Sequence, residues 1–131
     1  MANVLLDSSV LIDLLRGLPG AEERYDRLER AGDAPYICAI NVEEVARGLR
    51  PHERPGAERL IAGIRVVALG ESEGWLAGQW RQDFQVKGVT LAQGDCLIAA
   101  AAAAVGGRLA TGNPKHFPMP ELQVEHWPAG A

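Results

Sequence analysis

Apolar residues follow two patterns along the chain. Short, nearly continuous apolar runs predict buried strands at residues 3–6, 35–40, 65–69, 108–111 and 122–127. Between them, apolar residues recur every three or four positions, which predicts helices at 9–16, 21–31, 41–50, 55–62, 72–87 and 95–105. We expect Ser8 or Ser9 to cap the first helix and Asn41 to cap the third. Strands separated by helices pair in parallel with helices on both faces, so the pattern predicts a single α/β domain over residues 1–131.

The composition is typical of a soluble globular protein, with 47% hydrophobic and 23% charged residues. No apolar run reaches the roughly 18 residues that a membrane span needs, and the first residues lack the basic segment of a signal peptide. Two cysteines lie apart among apolar neighbours, which favours buried thiols in a reducing cytoplasm. The net charge of −4 argues against a uniformly basic nucleic-acid surface. It leaves open a nucleic acid held by local arginines and a metal. The last four residues, "PAGA", are expected to fray.

Acidic and amide side chains follow the predicted strands. They are Asp7 after the first strand, Glu43 and Glu44 after the second, Asp95 at the start of the alanine-rich helix, and Asn113 after the fourth strand. Taken alone, Asp95 is explained as a helix cap and Asp7 as a turn residue before the first helix. Parallel strands gather their carboxyl ends at one edge of the sheet, where several carboxylates repel one another unless a cation or a proton neutralises them. Oxygen ligands without Cys or His select hard cations such as Mg²⁺ or Mn²⁺.

Four segments resemble, in order and spacing, the motif blocks of PIN-domain ribonucleases, and especially of the VapC toxins from bacterial toxin–antitoxin pairs: "LLDSSVLIDLLRG", "INVEEVARGL", "GDCLIAAAAA" and "LATGNPKHF". The resemblance extends from Asn3 to about Val124. It implies a PIN-like three-layer α/β fold, in which a central, mainly parallel sheet is flanked by helices.

The resemblance also assigns the acids. The family's first acid corresponds to Asp7 and its third to Asp95. Its second acid is followed by an apolar residue and, after two more, a glycine, which "EVARG" matches from Glu44. The apolar stripe of this helix places Glu43 slightly nearer the buried side, so Glu43 remains the alternative. Family members often carry a further aspartate where this chain has Asn113, and the substitution argues against a tightly bound second metal.

Other residues are assigned supporting roles. Ser9 and Thr111 match family positions whose hydroxyls hold the acids through hydrogen bonds, although a cap and a strand end explain them equally well. Four basic residues near the motifs are candidates for contact with RNA phosphates or with an antitoxin: Arg47, Arg50, Lys115 and His116. The alternative for each of these is an ordinary solvated surface.

Family resemblance implies a Mg²⁺-dependent endoribonuclease, with Mn²⁺ as a substitute ion. Asp7 and Asp95 would bind the metal, Glu44 would orient or deprotonate a water, and Asn113 would help to position water or phosphate. It further implies an RNA substrate such as tRNA, a homodimer, and inhibition within a hetero-oligomer by a cognate VapB-type antitoxin. Two alternatives remain open. A PIN-like binding module without catalysis is favoured only by the missing fourth acid. A phospho-receiver domain would need adjacent acids after the first strand and an aspartate after the third, and the chain has neither.

Overall fold

Strands and helices alternate through the chain in the computed structural model, which describes all residues 1–131. The strands are β1 (Asn3–Leu6), β2 (Ala34–Cys38), β3 (Arg65–Val67), β4 (Arg108–Thr111) and β5 (Val124–His126). The helices are α1 (Ser8–Leu15), α2 (Pro19–Arg30), α3 (Ala39–Gly48), α4 (Arg54–Ala62), α5 (Glu71–Val86) and α6 (Gln93–Ala104). Short 3-10 turns cover Pro51–Glu53 and Pro114–His116. None of the helices combines the length and apolar character that a membrane span requires.

All five strands are parallel and lie in the order β3-β2-β1-β4-β5. The central strand β1 is covered on both faces, because Val4, Leu5 and Leu6 are all fully buried. Continuous apolar strands are what a parallel sheet between two helical layers requires. The predicted three-layer α/β fold with a mainly parallel sheet is therefore confirmed, and the sheet is entirely parallel.

Two apolar clusters fill the two faces of the sheet. Leu5 points into a cluster built with α5 and α6, and Val4 and Leu6 point into one built with α1, α2, α3 and α4. Helix α6 buries four alanines, at positions 99 to 102, in the apolar cluster on its face of the sheet. After the helix, Gly107 lies against β1, where a Cβ atom would be 2.3 Å from the Asn3 carbonyl oxygen. This packing fixes the start of α6 beside the carboxyl end of the sheet.

All six helices begin one or two residues before the predicted positions, and at two of these starts the role of a polar side chain differs from the prediction. Helix α1 begins at Ser8, its N-cap residue is Asp7, and no side chain caps it, so the predicted cap by Ser8 or Ser9 is wrong. Helix α3 begins at Ala39 rather than near Asn41, which is the third residue of the helix. The Asn41 side-chain oxygen instead accepts a 2.9 Å hydrogen bond from the Cys38 backbone N–H. Neither Ser8 nor Asn41 is the N-cap residue of its helix: the Ser8 hydroxyl donates to Glu44, and Asn41 accepts from the Cys38 N–H.

The C-terminal residues are held rather than frayed, which corrects the expectation from composition. The Gly130 N–H donates a 2.9 Å hydrogen bond to Oδ2 of the buried Asp13. The Gly20 N–H donates a 2.9 Å bond to the Ala131 carbonyl oxygen. The expectation for the cysteines is met, since Cys38 and Cys96 are both free and fully buried.

Candidate active site

The first acid lies at the carboxyl edge of the two central strands. Asp7 follows β1 directly and is 7% exposed. Its Oδ2 atom accepts hydrogen bonds from the hydroxyls of Thr111, at 2.8 Å, and Ser9, at 2.9 Å. Both bonds use the same oxygen, so Oδ1 keeps its lone pairs for another partner. Ser9 and Thr111 thus occupy the supporting positions that the sequence predicted.

The second acid, Glu44, is hydrogen-bonded to Ser8, the residue that follows Asp7. Glu44 extends from α3, and its Oε1 atom accepts a 2.6 Å hydrogen bond from the Ser8 hydroxyl. Glu43, the alternative, lies on the outside of the helix and pairs with Arg47 at 3.4 Å, with 62% of its side chain exposed. The structure therefore brings Glu44, and not Glu43, to the edge that carries Asp7. Gly48, one turn further along α3, leaves open space, since a Cβ atom there would have no neighbour within 4 Å.

The third acid, Asp95, is in the first turn of α6. The preceding residue, Gly94, leaves room for Glu44, because a Cβ atom there would lie 3.4 Å from Glu44 Oε2. Burial raises the pKa of the Asp95 carboxyl, the negative charges of Asp7 and Glu44 raise it further, and His116 opposes the shift. The Asp95 carboxyl is therefore within electrostatic range of both Asp7 and Glu44, as the parallel-sheet argument predicted.

The fourth motif block closes the site from β4. The Asn113 backbone N–H donates a 2.9 Å bond to the Thr111 hydroxyl oxygen, and the Gly112 N–H donates a 3.0 Å bond to the Ser9 hydroxyl oxygen. The Asn113 side chain is exposed and has no hydrogen-bond partner within the protein. This loop therefore orients the two hydroxyls that hold Asp7, while the Asn113 amide is left free for solvent or a ligand.

The four basic candidates fall into two groups. His116 lies beside the acids, with Nδ1 3.6 Å from Asp95 Oδ2, and Lys115 is exposed in the same 3-10 turn. Arg47 and Arg50 are exposed in the last turn of α3 and just beyond it. Arg50 borders a groove of about 350 Å³ between α1 and α3. Lys115 and the His116 imidazole thus flank the site on the Asp95 side, and the arginines lie further along α3.

The donor chemistry suits a hard divalent cation. All three acids supply oxygen, and each of Asp7 and Glu44 has one oxygen held by a hydroxyl and one left without such a bond. No three Asp, Glu, His or Cys side chains are already arranged as a ligand set for one ion. Mg²⁺ does not require such a set, because it keeps several waters and usually binds one or two carboxylates. The residues present therefore fit Mg²⁺.

Two residues of the site, Ser8 and Asn41, were not assigned to it from the sequence. Ser8 links Glu44 to Asn41, whose Nδ2 atom donates a 3.1 Å bond to the Ser8 oxygen. Asn41 is fully buried and Ser8 is 7% exposed. A signal existed only for Asn41, which stands between the apolar residues Ile40 and Val42, whereas Ser8 lies between Asp7 and Ser9. Capping offered a simpler explanation for both.

Comparison with known proteins identifies the family. The family model described as PIN domain matches residues 4–119. Ribonuclease VapC10 of Mycobacterium tuberculosis is 35% identical over 116 residues, 88% of this chain and 86% of the relative. Ribonuclease VapC19 of the same organism is 28% identical over 120 residues, 91% of this chain and 96% of the relative.

Solved structures share the fold. VapBC2 from Rickettsia felis, bound to a DNA fragment from its promoter, matches with a TM-score of 0.85 and 19% identity, over 95% of this chain and 98% of that one. DNA-bound VapBC from Salmonella typhimurium matches with a TM-score of 0.84 and 23% identity, over 97% of this chain and 99% of that one. With the family model and the VapC relatives each covering most of its length, the chain belongs to the PIN domain family and groups with its VapC ribonucleases.

Proposed function

We propose that this protein is the toxin of a type II toxin–antitoxin system and hydrolyses RNA with Mg²⁺ bound by Asp7, Asp95 and Glu44. One observation carries the proposal: three carboxylates from separate parts of the chain come together at one edge of a parallel sheet, where burial and then the charges of Asp7 and Glu44 raise the pKa of Asp95. A divalent cation relieves that repulsion. Membership of the VapC ribonucleases gives the arrangement its reaction.

The bound ion would acidify a water and stabilise charge that develops on the phosphate. The protein's own part begins with Asp7, which presents Oδ1 because Oδ2 is held by two hydroxyls. Glu44 presents Oε2, which takes up the proton of the attacking water. A bond would form between the water oxygen and phosphorus, one phosphorus–oxygen bond to the ribose would break, and the released ribose oxygen would take up a proton from solvent. The free Asn113 amide is suited to position water or a phosphate oxygen.

Recognition of RNA by an acidic protein needs local positive charge. Lys115 and His116 are the nearest candidates, because their turn lies beside Asp95. Arg47 and Arg50 would extend the contact along the backbone of the RNA, beyond the end of α3. The chemistry of these groups recognises phosphate and does not select a sequence, so tRNA is proposed as the substrate on family grounds alone.

Inhibition by a cognate antitoxin is the natural counterpart of this activity. The VapBC structures that share this fold contain a toxin with its antitoxin, some of them on DNA. We propose a VapB-type partner that places an arginine over the acids, since a guanidinium pairs with carboxylates through two parallel hydrogen bonds. Homodimerisation is part of the same proposal, with Trp75 of α5, 74% exposed, as a candidate contact. The protein would act on RNA in the cytoplasm.

A PIN module without catalysis is the second candidate, favoured by Asn113 in place of an acid. The phospho-receiver alternative is wrong, because the chain belongs to the PIN family. Incubation of the purified chain with cellular RNA and Mg²⁺ or Mn²⁺ tests the proposal, with chelator and the Asp95→Asn variant as controls. We expect discrete fragments that both controls abolish. Intact RNA at every metal concentration would support the non-catalytic module.

A further inference from the structure

Glu44 reaches its position through a directed chain of hydrogen bonds, which we call the Asn41 relay: Cys38, Asn41, Ser8 and Glu44. The Cys38 N–H donates to Asn41 Oδ1 at 2.9 Å, Asn41 Nδ2 donates to Ser8 Oγ at 3.1 Å, and the Ser8 hydroxyl donates to Glu44 Oε1 at 2.6 Å. The relay begins at Cys38, just before α3, passes through Ser8 in α1, and returns to α3 at Glu44.

The direction of the relay is fixed at its first member. A backbone N–H can only donate, so the bond from Cys38 requires the oxygen of the Asn41 amide to face it. The amide nitrogen must then face Ser8. Because Asn41 supplies a donor there, the single hydroxyl proton of Ser8 is left for Glu44. Reversal of the amide would place an acceptor beside Ser8 and draw that proton away from Glu44.

Burial makes the relay difficult to replace with water. Asn41 is fully buried and Ser8 is 7% exposed, so loss of one member leaves a buried polar group without a partner. Ser8 is the one side-chain hydrogen-bond partner of Glu44. The opposite carboxylate oxygen, Oε2, lies beside Gly94, where a Cβ atom would be 3.4 Å from it. Fixing Oε1 therefore also fixes the direction in which Oε2 points.

We propose that Asn41 and Ser8 are positioning residues, which act through Glu44 to set the affinity of the site for a divalent cation and its rate of RNA cleavage. The inference rests on the proposed function. It assigns two roles to the Asn41 side chain. The oxygen accepts the Cys38 N–H at the start of α3, and the nitrogen donates to Ser8 and so orients Glu44.

Substitutions can separate these tasks. Ser8→Ala removes the donor to Glu44. Asn41→Asp keeps the acceptor for the Cys38 N–H and the shape of the side chain but replaces the nitrogen that faces Ser8. Ser8→Thr retains the hydroxyl, and Ser72→Ala, at an exposed position in α5, is the surface control. For each variant we would measure the Mn²⁺ dissociation constant by calorimetry, kcat and KM for RNA, and the melting temperature.

We expect Ser8→Ala and Asn41→Asp each to weaken Mn²⁺ binding and lower kcat by about 10- to 100-fold, as for other residues that orient metal ligands. KM for RNA should stay within about twofold of wild type in every variant, and Ser72→Ala should match wild type throughout. Ser8→Thr should bind Mn²⁺ more tightly and cleave RNA faster than Ser8→Ala, because it retains the hydroxyl donor. If Ser8→Ala does not fold, Asn41→Asp provides the same test. Unchanged Mn²⁺ affinity and kcat in a folded Ser8→Ala or Asn41→Asp protein would overturn the proposal, as would a Ser8→Thr protein as impaired as Ser8→Ala.

A double-mutant cycle shows whether the effect passes through Glu44. In a Glu44→Gln background, Ser8→Ala should cause no further loss of Mn²⁺ affinity beyond about twofold, since its target is already altered. Losses that multiply in full would place the role of Ser8 elsewhere and overturn the relay. A wild-type chain that binds Mn²⁺ and cleaves RNA, with Ser8→Ala unchanged, rejects the relay alone. A wild-type chain that does neither rejects the proposed function as well.

Discussion

The Thr111 hydroxyl donates a 2.8 Å hydrogen bond to Asp7 Oδ2 and joins the ends of the adjacent strands β4 and β1. Thr111 is fully buried, and its own oxygen accepts the Asn113 N–H, so its proton is directed at Asp7. The bond ties the fourth motif block to the first. It also reserves Oδ1 of Asp7 for a ligand, because Ser9 donates to the same Oδ2 atom.

Thr111→Val keeps the shape of the side chain and removes this bond. We expect a loss of about 1.5–3 kcal/mol in the free energy of unfolding, typical of a buried hydrogen bond to a charged group. RNA cleavage should fall by about 10- to 100-fold. Thr111→Ser, which keeps the hydroxyl, is the matched control. Chemical denaturation and cleavage assays measure both effects, and full activity in the valine variant would contradict the assigned support of Asp7.

Asp95→Asn should affect activity and stability in opposite directions. Cleavage should fall by more than the roughly 100-fold expected for a supporting residue, because a metal ligand is lost. The folded-state pKa of Asp95 is raised, so the folded protein binds its proton more tightly than the unfolded chain. Stability from this group is then present at low pH and lost as the pH rises through the folded-state pKa. At pH 7 the metal-free asparagine variant should melt at a higher temperature than wild type.

Calorimetric melting with chelator and with Mn²⁺ checks this result. Added Mn²⁺ should raise the melting temperature of wild type and have little effect on Asp95→Asn, because ligands stabilise the state that binds them. A metal-free asparagine variant that melts below wild type would mean that mutual repulsion of the acids does not dominate at this position.

Glu44→Gln and Glu43→Gln should differ sharply despite being adjacent. Glu43 makes an exposed pair with Arg47, and such pairs within a helix contribute only about 0.3–0.5 kcal/mol, so cleavage should remain near wild type. Glu44 is held by Ser8 at the acid edge, and Glu44→Gln should lower kcat by at least about 100-fold, more than a supporting residue would. Parallel cleavage assays decide between them, and the reverse ranking would reject the assignment of Glu44.

His116→Ala should change the pH at which the site loses Mn²⁺ affinity on acidification. A proton on Asp95 competes with the metal, and the raised pKa of Asp95 makes that competition begin at a higher pH than for an ordinary aspartate. The positive charge of protonated His116 lowers the pKa of Asp95, so its removal should shift the loss of Mn²⁺ affinity to still higher pH. Mn²⁺ titrations between pH 5 and pH 8 measure the shift. A profile that is unchanged or moves to lower pH would contradict this account.

Most of the sheet was predictable because each strand is marked by a short apolar run of consecutive residues. Strands β1 and β4 have the predicted bounds, since each is a short apolar run that ends at a polar residue of the site. The outer strands are shorter than predicted, and β3 ends at Val67 although the apolar run continues to Leu69. An apolar run marks burial, whereas a strand also needs a partner, and β3 pairs only with β2.

The acids were predictable from motif order, and the groups that hold them were predictable only in part. Ser8 and Asn41 were assigned to helix caps because a serine or asparagine at a helix start normally serves its own backbone. Ser8 instead donates to Glu44, 36 residues away, and Asn41 binds both the Cys38 N–H at its own helix start and Ser8, 33 residues away. The bond from Gly130 to Asp13, which holds the C-terminal residues, spans 117 residues. Pairings of this kind depend on tertiary packing, which sequence spacing does not reveal.

The position of β1 in the middle of the sheet has a consequence for synthesis. One neighbour of β1 is β2, but the other, β4, ends only at Thr111, whose hydroxyl completes the support of Asp7. A ribosome must therefore translate most of the message before the acids can be held in place. Until the chain has been synthesised as far as Thr111, Asp7 lacks one of the two hydroxyls that hold its Oδ2 atom.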